Sequence, residues 1–110
     1  MAAHKYKAIP TNVDGLRFDS KGEARRFQEL QLLEKSGEIK DLRLQPAFDL
    51  HAHGSPEIKV GTYKADFEYI ETATGARIIE DFKGVKTPMY RWKKKHLLHE
   101  YGIEIREVTK

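Results

Sequence analysis

The sequence predicts a mixed α/β fold, in which a sheet of about four strands is flanked by two helices. Three features predict it: two capped segments with helical periodicity, a β-hairpin signal between them, and an alternating segment after the second helix. The expected order is therefore helix, strand, hairpin, helix, strand. At 110 residues the chain can bury one core but hardly two, so we expect a single domain over residues 1–110 with its core at about 5–108.

The first helix is predicted within residues 18–38, FDSKGEARRFQELQLLEKSGE. Ser20 is a suitable N-cap, Glu23 completes a capping box, and Gly37 is a suitable stop. Apolar residues follow at helical spacing: Phe27, Leu30 and Leu33. The next segment, residues 39–52 (IKDLRLQPAFDLHA), alternates as a strand, and its Pro46 indicates an edge position or a bulge.

A β-hairpin is predicted over residues 61–84, GTYKADFEYIETATGARIIEDFKG, with its loop at residues 72–75. The second helix follows within residues 87–102, TPMYRWKKKHLLHEYG. Thr87 is its expected N-cap, Pro88 its first residue, and Gly102 lies just past its end. The alternating residues 103–108, IEIREV, predict a closing strand.

Composition and charge restrict the classes of protein. The chain has 39% hydrophobic and 34% charged residues, a net charge of +3 and no cysteine. This composition is typical of a globular protein, and it excludes disulfides and thiol nucleophiles. No apolar run is long enough to span a bilayer and no signal-peptide pattern is present. We therefore expect a soluble, cytoplasmic protein with no membrane partner.

The hairpin register places two acids opposite each other. With a four-residue loop, Glu71 faces Ala76 and Asp66 faces Asp81, with Cβ atoms about 4.5–5.5 Å apart. Lys83 shares the face of Asp81. Paired carboxylates repel unless a cation offsets their charge, and hard oxygen ligands suit Mg²⁺ or Mn²⁺. The residues thus allow a metal site for phosphodiester hydrolysis, or a surface ladder of salt bridges.

The same register predicts that the other face of the hairpin is mostly apolar. This face would carry Tyr63, Ala65, Phe67, Tyr69, Ile78 and Phe82. Glu80 would point to the same apolar face, away from Asp81.

Asp66, followed fifteen residues later by Asp81-Phe82-Lys83, resembles the PD-(D/E)xK signature of restriction-endonuclease-like nucleases. The surrounding chain, including residues 18–46, looks like a family of small phage-encoded proteins described as Holliday junction resolvases or endonucleases. The resemblance extends from about Lys5 to Val108, and it departs from the signature at Ala65, where the signature has proline.

This resemblance implies a restriction-endonuclease-like fold and a Mg²⁺- or Mn²⁺-dependent DNA endonuclease that leaves 5′-phosphates. It implies that Glu23, Asp66 and Asp81 bind the metal and that Lys83 is catalytic. The local pattern alone favours the capping box, which fully explains Glu23, and the resemblance assigns it to the active site. A homodimer would supply the two sites that cutting two strands symmetrically requires.

Two further residues are accessory candidates for this site. The resemblance places Gln45 near the metal, although a polar residue before Pro46 also suits an edge strand. Glu80 competes with Asp81 as the ligand, and the predicted register favours Asp81.

The second helix is strongly basic. Six Lys or Arg residues and no acid lie between Lys83 and His99, which suits a polyanion or a solvated helix face. The candidates for DNA contact are Lys86, Arg91, Lys94 and Lys95. The inward face of this helix is predicted to carry Met89, Trp92, His96 and Leu97.

Two other functions are compatible with the sequence. A protein with the same fold and basic helix could bind nucleic acid without cutting it. Alternatively, Asp49, His51 and His53 occupy alternating strand positions and could together bind a different metal.

Overall fold

The computed structural model describes residues 10–109, so positions 5–9 of the expected core lie outside the described residues. Two helices are present, α1 (Lys21–Lys35) and α2 (Pro88–Tyr101). Eight strands accompany them in the described part of the chain: β1 (Thr11–Val13), β2 (Leu16–Phe18), β3 (Ile39–Leu44), β4 (Ala47–Ala52), β5 (Ser55–Lys64), β6 (Phe67–Glu71), β7 (Arg77–Phe82) and β8 (Arg106–Val108).

The central sheet has four strands in the order β3-β6-β7-β8, which confirms the predicted mixed α/β fold with two helices. Strand β6 is antiparallel to β3 and to β7, whereas β8 is parallel to β7 because α2 crosses over between them. The β6–β7 pairing has the predicted register. Phe67 pairs with Glu80, and the Glu71 amide donates to the carbonyl of Ala76 at 2.9 Å.

Both helices begin and end as their caps predict. The Ser20 hydroxyl accepts a hydrogen bond from the Glu23 amide (3.1 Å), and the Thr87 hydroxyl accepts one from the Tyr90 amide (3.1 Å). Gly37 and Gly102 follow the two helices with φ of 86° and 70°, the left-handed conformation that glycine adopts without strain. Neither helix within residues 10–109 is long and apolar enough to cross a membrane.

Two strands that the sequence predicts as continuous are each divided in the structure. The segment at residues 39–52 breaks at Gln45 and Pro46, and the first hairpin strand breaks at Ala65 and Asp66. The breaks lie side by side, because Gln45 N donates to Asp66 O (2.9 Å) and Ala65 N donates to Pro46 O (3.0 Å). Gln45 has a φ of 52° and Pro46 has no amide proton, so the chain turns there into a second sheet, β4–β5.

The third sheet consists of the two strands β1 and β2. It was not predicted, although its turn is a typical hairpin sequence. Asp14 and Gly15 form the turn with φ of 52° and 77°. An Asp-Gly pair with both φ angles positive is the preferred two-residue hairpin loop.

The central sheet is covered on both faces by apolar clusters. The cluster under α1 contains Phe18, Ala24, Phe27, Leu30, Ile39, Phe67 and Tyr69. The cluster under α2 contains Leu50, Tyr63, Ala65, Ile79, Tyr90, Leu97 and Ile105. The prediction that Tyr63 and Ala65 share a face with Phe67 and Tyr69 is therefore wrong, because the strand break separates the two pairs.

The prediction that Met89 and Trp92 lie on the inward face of α2 is also wrong. Met89 and Trp92 are 61% and 45% exposed, whereas Tyr90 and Leu97 are buried. Tyr90 and Leu97 lie seven residues, two helical turns, apart on the face that meets the sheet. Tyr90 can be buried because its hydroxyl donates to Glu107 at 2.6 Å.

Candidate active site

Asp66 and Asp81 are interlocked through backbone amides where β6 begins and β7 ends. The Asp66 amide donates to Asp81 Oδ1 (3.0 Å), and the Phe82 amide donates to Asp66 Oδ2 (2.8 Å). The pairing of Phe67 with Glu80, continued by one residue, places Asp66 opposite Asp81. Both carboxylates are therefore held in fixed orientations by neighbouring backbone.

Lys83 is the cation nearest to Asp81. Its Nζ lies 3.6 Å from Asp81 Oδ2 and 4.2 Å from the centroid of the Tyr90 ring. Its backbone is anchored by a hydrogen bond from its amide to the carbonyl of Val108 (2.9 Å). The ring of Tyr90 gives the ammonium a second favourable contact. These contacts hold the lysine head group beside the two aspartates.

Asp81 has one oxygen that no donor satisfies. Its side chain is fully buried, and within residues 10–109 its Oδ2 makes no hydrogen bond, since 3.6 Å to Lys83 Nζ is too long for one. Burial raises the pKa of Asp81 to about 6, against the lowering effect of Lys83. Burial likewise raises the pKa of Asp66, which the Phe82 amide and Lys83 lower in part. A buried carboxylate oxygen without a donor is suited to a cation.

Glu23 reaches the same region from the first turn of α1. Its amide completes the helix cap, but its carboxylate makes no hydrogen bond with residues 10–109, so the reciprocal half of the capping box is absent. Burial, together with the charges of Asp66, Asp19 and Asp81, raises the pKa of Glu23 to about 8, against the lowering effect of Lys83. Three of the predicted residues and Asp19 thus share one electrostatic environment.

The start of α1 packs tightly against the end of β7. A Cβ atom on Gly22 would lie 2.3 Å from two atoms of the Phe82 ring, so only glycine fits between them. This close approach carries Glu23 toward Asp81, the neighbour of Phe82.

Glu80, the accessory candidate beside Asp81, points to the other face of the sheet, as its register predicts. Arg26 of α1 binds both of its carboxylate oxygens, with Nε 2.7 Å and a terminal nitrogen 3.0 Å away. The Tyr69 hydroxyl donates to it as well. Glu80 therefore forms a satisfied buried ion pair that joins α1 to the sheet.

Gln45, the other accessory candidate, lies beside Asp66 through its backbone. Its amide donates to the Asp66 carbonyl at 2.9 Å, while its exposed side chain makes no hydrogen bond within the described region. The left-handed turn at Gln45 thus positions the backbone of Asp66.

The four basic candidates line one cavity of about 300 Å³ beside α2 and β8. Two of them are already paired, because Lys86 Nζ and Lys94 Nζ each lie 3.0 Å from a carboxylate oxygen of Glu107. The Tyr90 hydroxyl and these lysines lower the pKa of Glu107 to about 2. Arg91 and Lys95 are exposed and form no ion pair with residues 10–109.

The predicted grouping of Asp49, His51 and His53 does not occur. Asp49 Oδ1 lies 3.2 Å from Lys59 Nζ, and His51 Nδ1 lies 2.6 Å from Glu100 Oε2. Register shifts on both sides of His51 interrupt the alternation on which the prediction depended. His53 instead faces His99 of α2.

The sequence reasoning missed Asp19, Arg26 and Glu107. Asp19 precedes the N-cap Ser20, four residues before Glu23, and Arg26 lies one helical turn after Glu23 on the same face. That spacing places Arg26 on the face of α1 that meets the sheet, but its partner Glu80 lies 54 positions away and leaves no local signal. Glu107 pairs with Asp81 across the parallel strands β7 and β8, a contact that only the sheet order reveals.

The fold and this site define a mixed α/β protein in which a buried aspartate, a partly buried aspartate and a lysine meet at the end of the central hairpin. The chain belongs to the family described as "Protein of unknown function (DUF1064)", whose model matches residues 3–109. Comparisons with curated proteins and with solved structures found no match.

Proposed function

We propose that this protein is a metal-dependent DNA endonuclease that hydrolyses phosphodiester bonds at Glu23, Asp66, Asp81 and Lys83. The observation that carries the proposal is the interlocked Asp66–Asp81 pair, with its unsatisfied Asp81 Oδ2 and with Lys83 3.6 Å away. Buried acids with raised pKa values beside one specific charge partner are typical of functional sites. The resemblance of these residues to the PD-(D/E)xK signature supports the same chemistry.

Asp66 and Asp81 would hold the metal, with Glu23 as the third carboxylate. No group of three His, Asp or Glu residues between Pro10 and Thr109 is already arranged to hold an ion, so Glu23 would have to reorient toward the two aspartates. Oxygen ligands alone favour Mg²⁺ or Mn²⁺ over softer ions. When bound, such an ion polarises the phosphate and lowers the pKa of a nearby water.

Two backbone amides and Lys83 would orient the metal ligands and the attacking water. The Asp66 and Phe82 amides keep the carboxylates fixed, which avoids reorganisation during the reaction. Lys83, held by its backbone and by the Tyr90 ring, would orient the attacking water or stabilise the charge that develops on the phosphate.

The substrate would be held by the basic cavity of α2. Arg91 and Lys95 are free to contact phosphates, whereas Lys86 and Lys94 would have to share their charge with Glu107. Branched DNA such as a Holliday junction is the preferred substrate to test, and a homodimer would place two sites on it. We also propose that the protein acts in the cytoplasm of a phage-infected cell.

Cleavage assays test the proposal. Wild-type protein should nick plasmid or branched DNA with Mg²⁺ or Mn²⁺ and stop in EDTA, leaving 5′-phosphates. Asp81→Asn should lower the rate by at least about 10²-fold. The matched control is Asp49→Asn, an exposed aspartate paired with Lys59, which should cleave like the wild type.

Other outcomes favour the other functions. If the wild type binds DNA but cuts none of these substrates with any divalent ion, it is a nucleic-acid-binding protein that uses the basic cavity alone. If cleavage survives Asp81→Asn and disappears with Asp49→Asn, the catalytic site lies elsewhere.

A further inference from the structure

A second cluster of potential ligands lies at the other end of α2, outside the candidate active site. The chain has five histidines, and four of them, with Glu100, line a cavity of about 300 Å³. His51 and His53 come from the end of β4 and its turn, and His96 and His99 from the last turns of α2. The fold thus brings four imidazoles from distant parts of the sequence to one cavity.

Two of these imidazoles face each other with their ring nitrogens. His53 Nδ1 lies 3.3 Å from His99 Nε2, and the ring centroids are 5.2 Å apart. A tetrahedral ion with metal–nitrogen bonds of 2.0–2.1 Å has its ligand nitrogens about 3.3–3.4 Å apart. The separation of the pair therefore matches the bite of a two-histidine chelate.

Without an ion, the two ring nitrogens are within reach of a long hydrogen bond. The usual donor–acceptor range for a nitrogen donor is about 2.7–3.2 Å, and the pair lies beyond it. Both rings are exposed, so water could satisfy them separately without bringing them together. An ion bound by both nitrogens would also account for the approach of these two exposed rings.

The other members of the cluster hold its wall in place. Glu100 accepts from the His51 amide (2.8 Å) and contacts His51 Nδ1 (2.6 Å), while His96 Nε2 contacts the His51 carbonyl (2.8 Å). These contacts tie the β4–β5 turn to α2. They also hold the Glu100 carboxylate, whose pKa His51 lowers, in the wall of the same cavity.

We propose that His53 and His99 bind a divalent transition-metal ion of the Zn²⁺, Ni²⁺ or Cu²⁺ class, with water in the remaining positions. Imidazole favours these ions over Mg²⁺, so this site is chemically distinct from the carboxylate site. The ion would link the β4–β5 turn to the last turn of α2 and stabilise the folded protein. The proposal does not depend on the nuclease activity.

Calorimetric titration of EDTA-treated, dialysed protein with ZnCl₂ tests the site. With excess Mg²⁺ present to occupy the carboxylate site, wild-type protein should bind one Zn²⁺ ion, whereas His53→Ala and His99→Ala should each weaken binding at least about 10-fold. The control is Glu29→Gln, which alters an exposed acid of α1 outside both sites and should bind Zn²⁺ like the wild type. At about 100 times its Kd, Zn²⁺ should raise the Tm of the wild type by several degrees and leave that of the double variant unchanged.

Nitrogen NMR of the wild type keeps the proposal testable even if a variant fails to fold. Zn²⁺ should shift the resonances of His53 Nδ1 and His99 Nε2 and leave the other ring nitrogens of these two residues protonated. Absence of Zn²⁺ binding, unchanged affinity in the double variant, loss in only one single variant, or loss in Glu29→Gln would each overturn the proposal.

Discussion

At the scale of single residues, two neighbouring acids of β7 have opposite environments. Glu80 and Asp81 are both fully buried, but Arg26 and Tyr69 satisfy Glu80, whereas Asp81 keeps one oxygen without a hydrogen bond. A buried carboxylate whose oxygens all have donors is part of the packed structure, and one with an oxygen that has no donor is available to a ligand. This contrast separates a structural acid from a candidate ligand within one dipeptide.

Replacing Glu80 tests its structural role. Glu80→Gln should lower the free energy of unfolding by about 3 kcal/mol, because it leaves the half-buried Arg26 without its buried partner. Urea denaturation measures the change. The control is Glu29→Gln, which removes the exposed partner of the same arginine and should cost less than about 0.5 kcal/mol. Equal effects of the two variants would contradict the assignment.

The raised pKa of Glu23 predicts a pH-dependent stability. Its pKa rises from 4.5 to about 8 on folding, so the folded protein binds this proton more tightly than the unfolded chain. The stabilisation is complete below pH 4.5 and is lost as the pH rises through 8. Urea denaturation in EDTA should show the free energy of unfolding falling between pH 4.5 and about 8. In Glu23→Gln, the free energy of unfolding should fall less steeply with pH. If the free energy of unfolding depends on pH equally in both proteins, the proton taken up on folding does not bind to Glu23.

At the scale of elements, the packing of α1 on β7 determines where Glu23 lies. Only glycine fits beside the Phe82 ring at position 22, although glycine is a poor helix former. Gly22 therefore lowers the helix propensity of the first turn of α1, the same turn that carries Glu23 toward the aspartates. The sequence motif around Ser20 explains the cap, but not this contact.

Gly22→Ala should therefore impair both stability and activity. The clash should cost about 1–3 kcal/mol, and a displacement of Glu23 by about 1 Å should slow cleavage about 10²-fold. Thermal unfolding and plasmid nicking measure the two effects. Gly61→Ala is the control, since its new Cβ meets nothing within 4 Å and should leave both properties nearly unchanged. A Gly22→Ala protein as stable as the wild type would show that α1 can shift freely.

At the scale of the whole molecule, α2 connects two chemically different regions. Its first turns carry Tyr90, which touches Lys83 and Glu107, and its last turns carry His99 and Glu100. The basic cavity lies along the same helix. DNA held in this cavity would therefore lie on the helix that packs beside the carboxylate pair.

Salt dependence tests this basic surface. Arg91→Ala and Lys95→Ala should each reduce the slope of log Kobs against log [salt] by about 1, because each side chain would displace one counterion from the DNA. Fluorescence anisotropy with labelled DNA measures the slope. Lys35→Ala, an exposed cation in the last turn of α1, is the control and should leave the slope unchanged. Unchanged slopes in all three variants would exclude α2 as the DNA surface.

Interactions between neighbouring residues account for the local features of the fold. Ser20, Thr87 and Gly102 define the helix ends, and the four-residue loop sets the register of Asp66 against Asp81, because these depend on neighbouring residues. Tertiary structure decided what depends on distant partners. It divided two strands at one corner, and it paired Arg26 with Glu80 and Glu107 with the lysines of α2. It also brought His53 to His99, since contacts across 46 positions leave no local pattern in the chain.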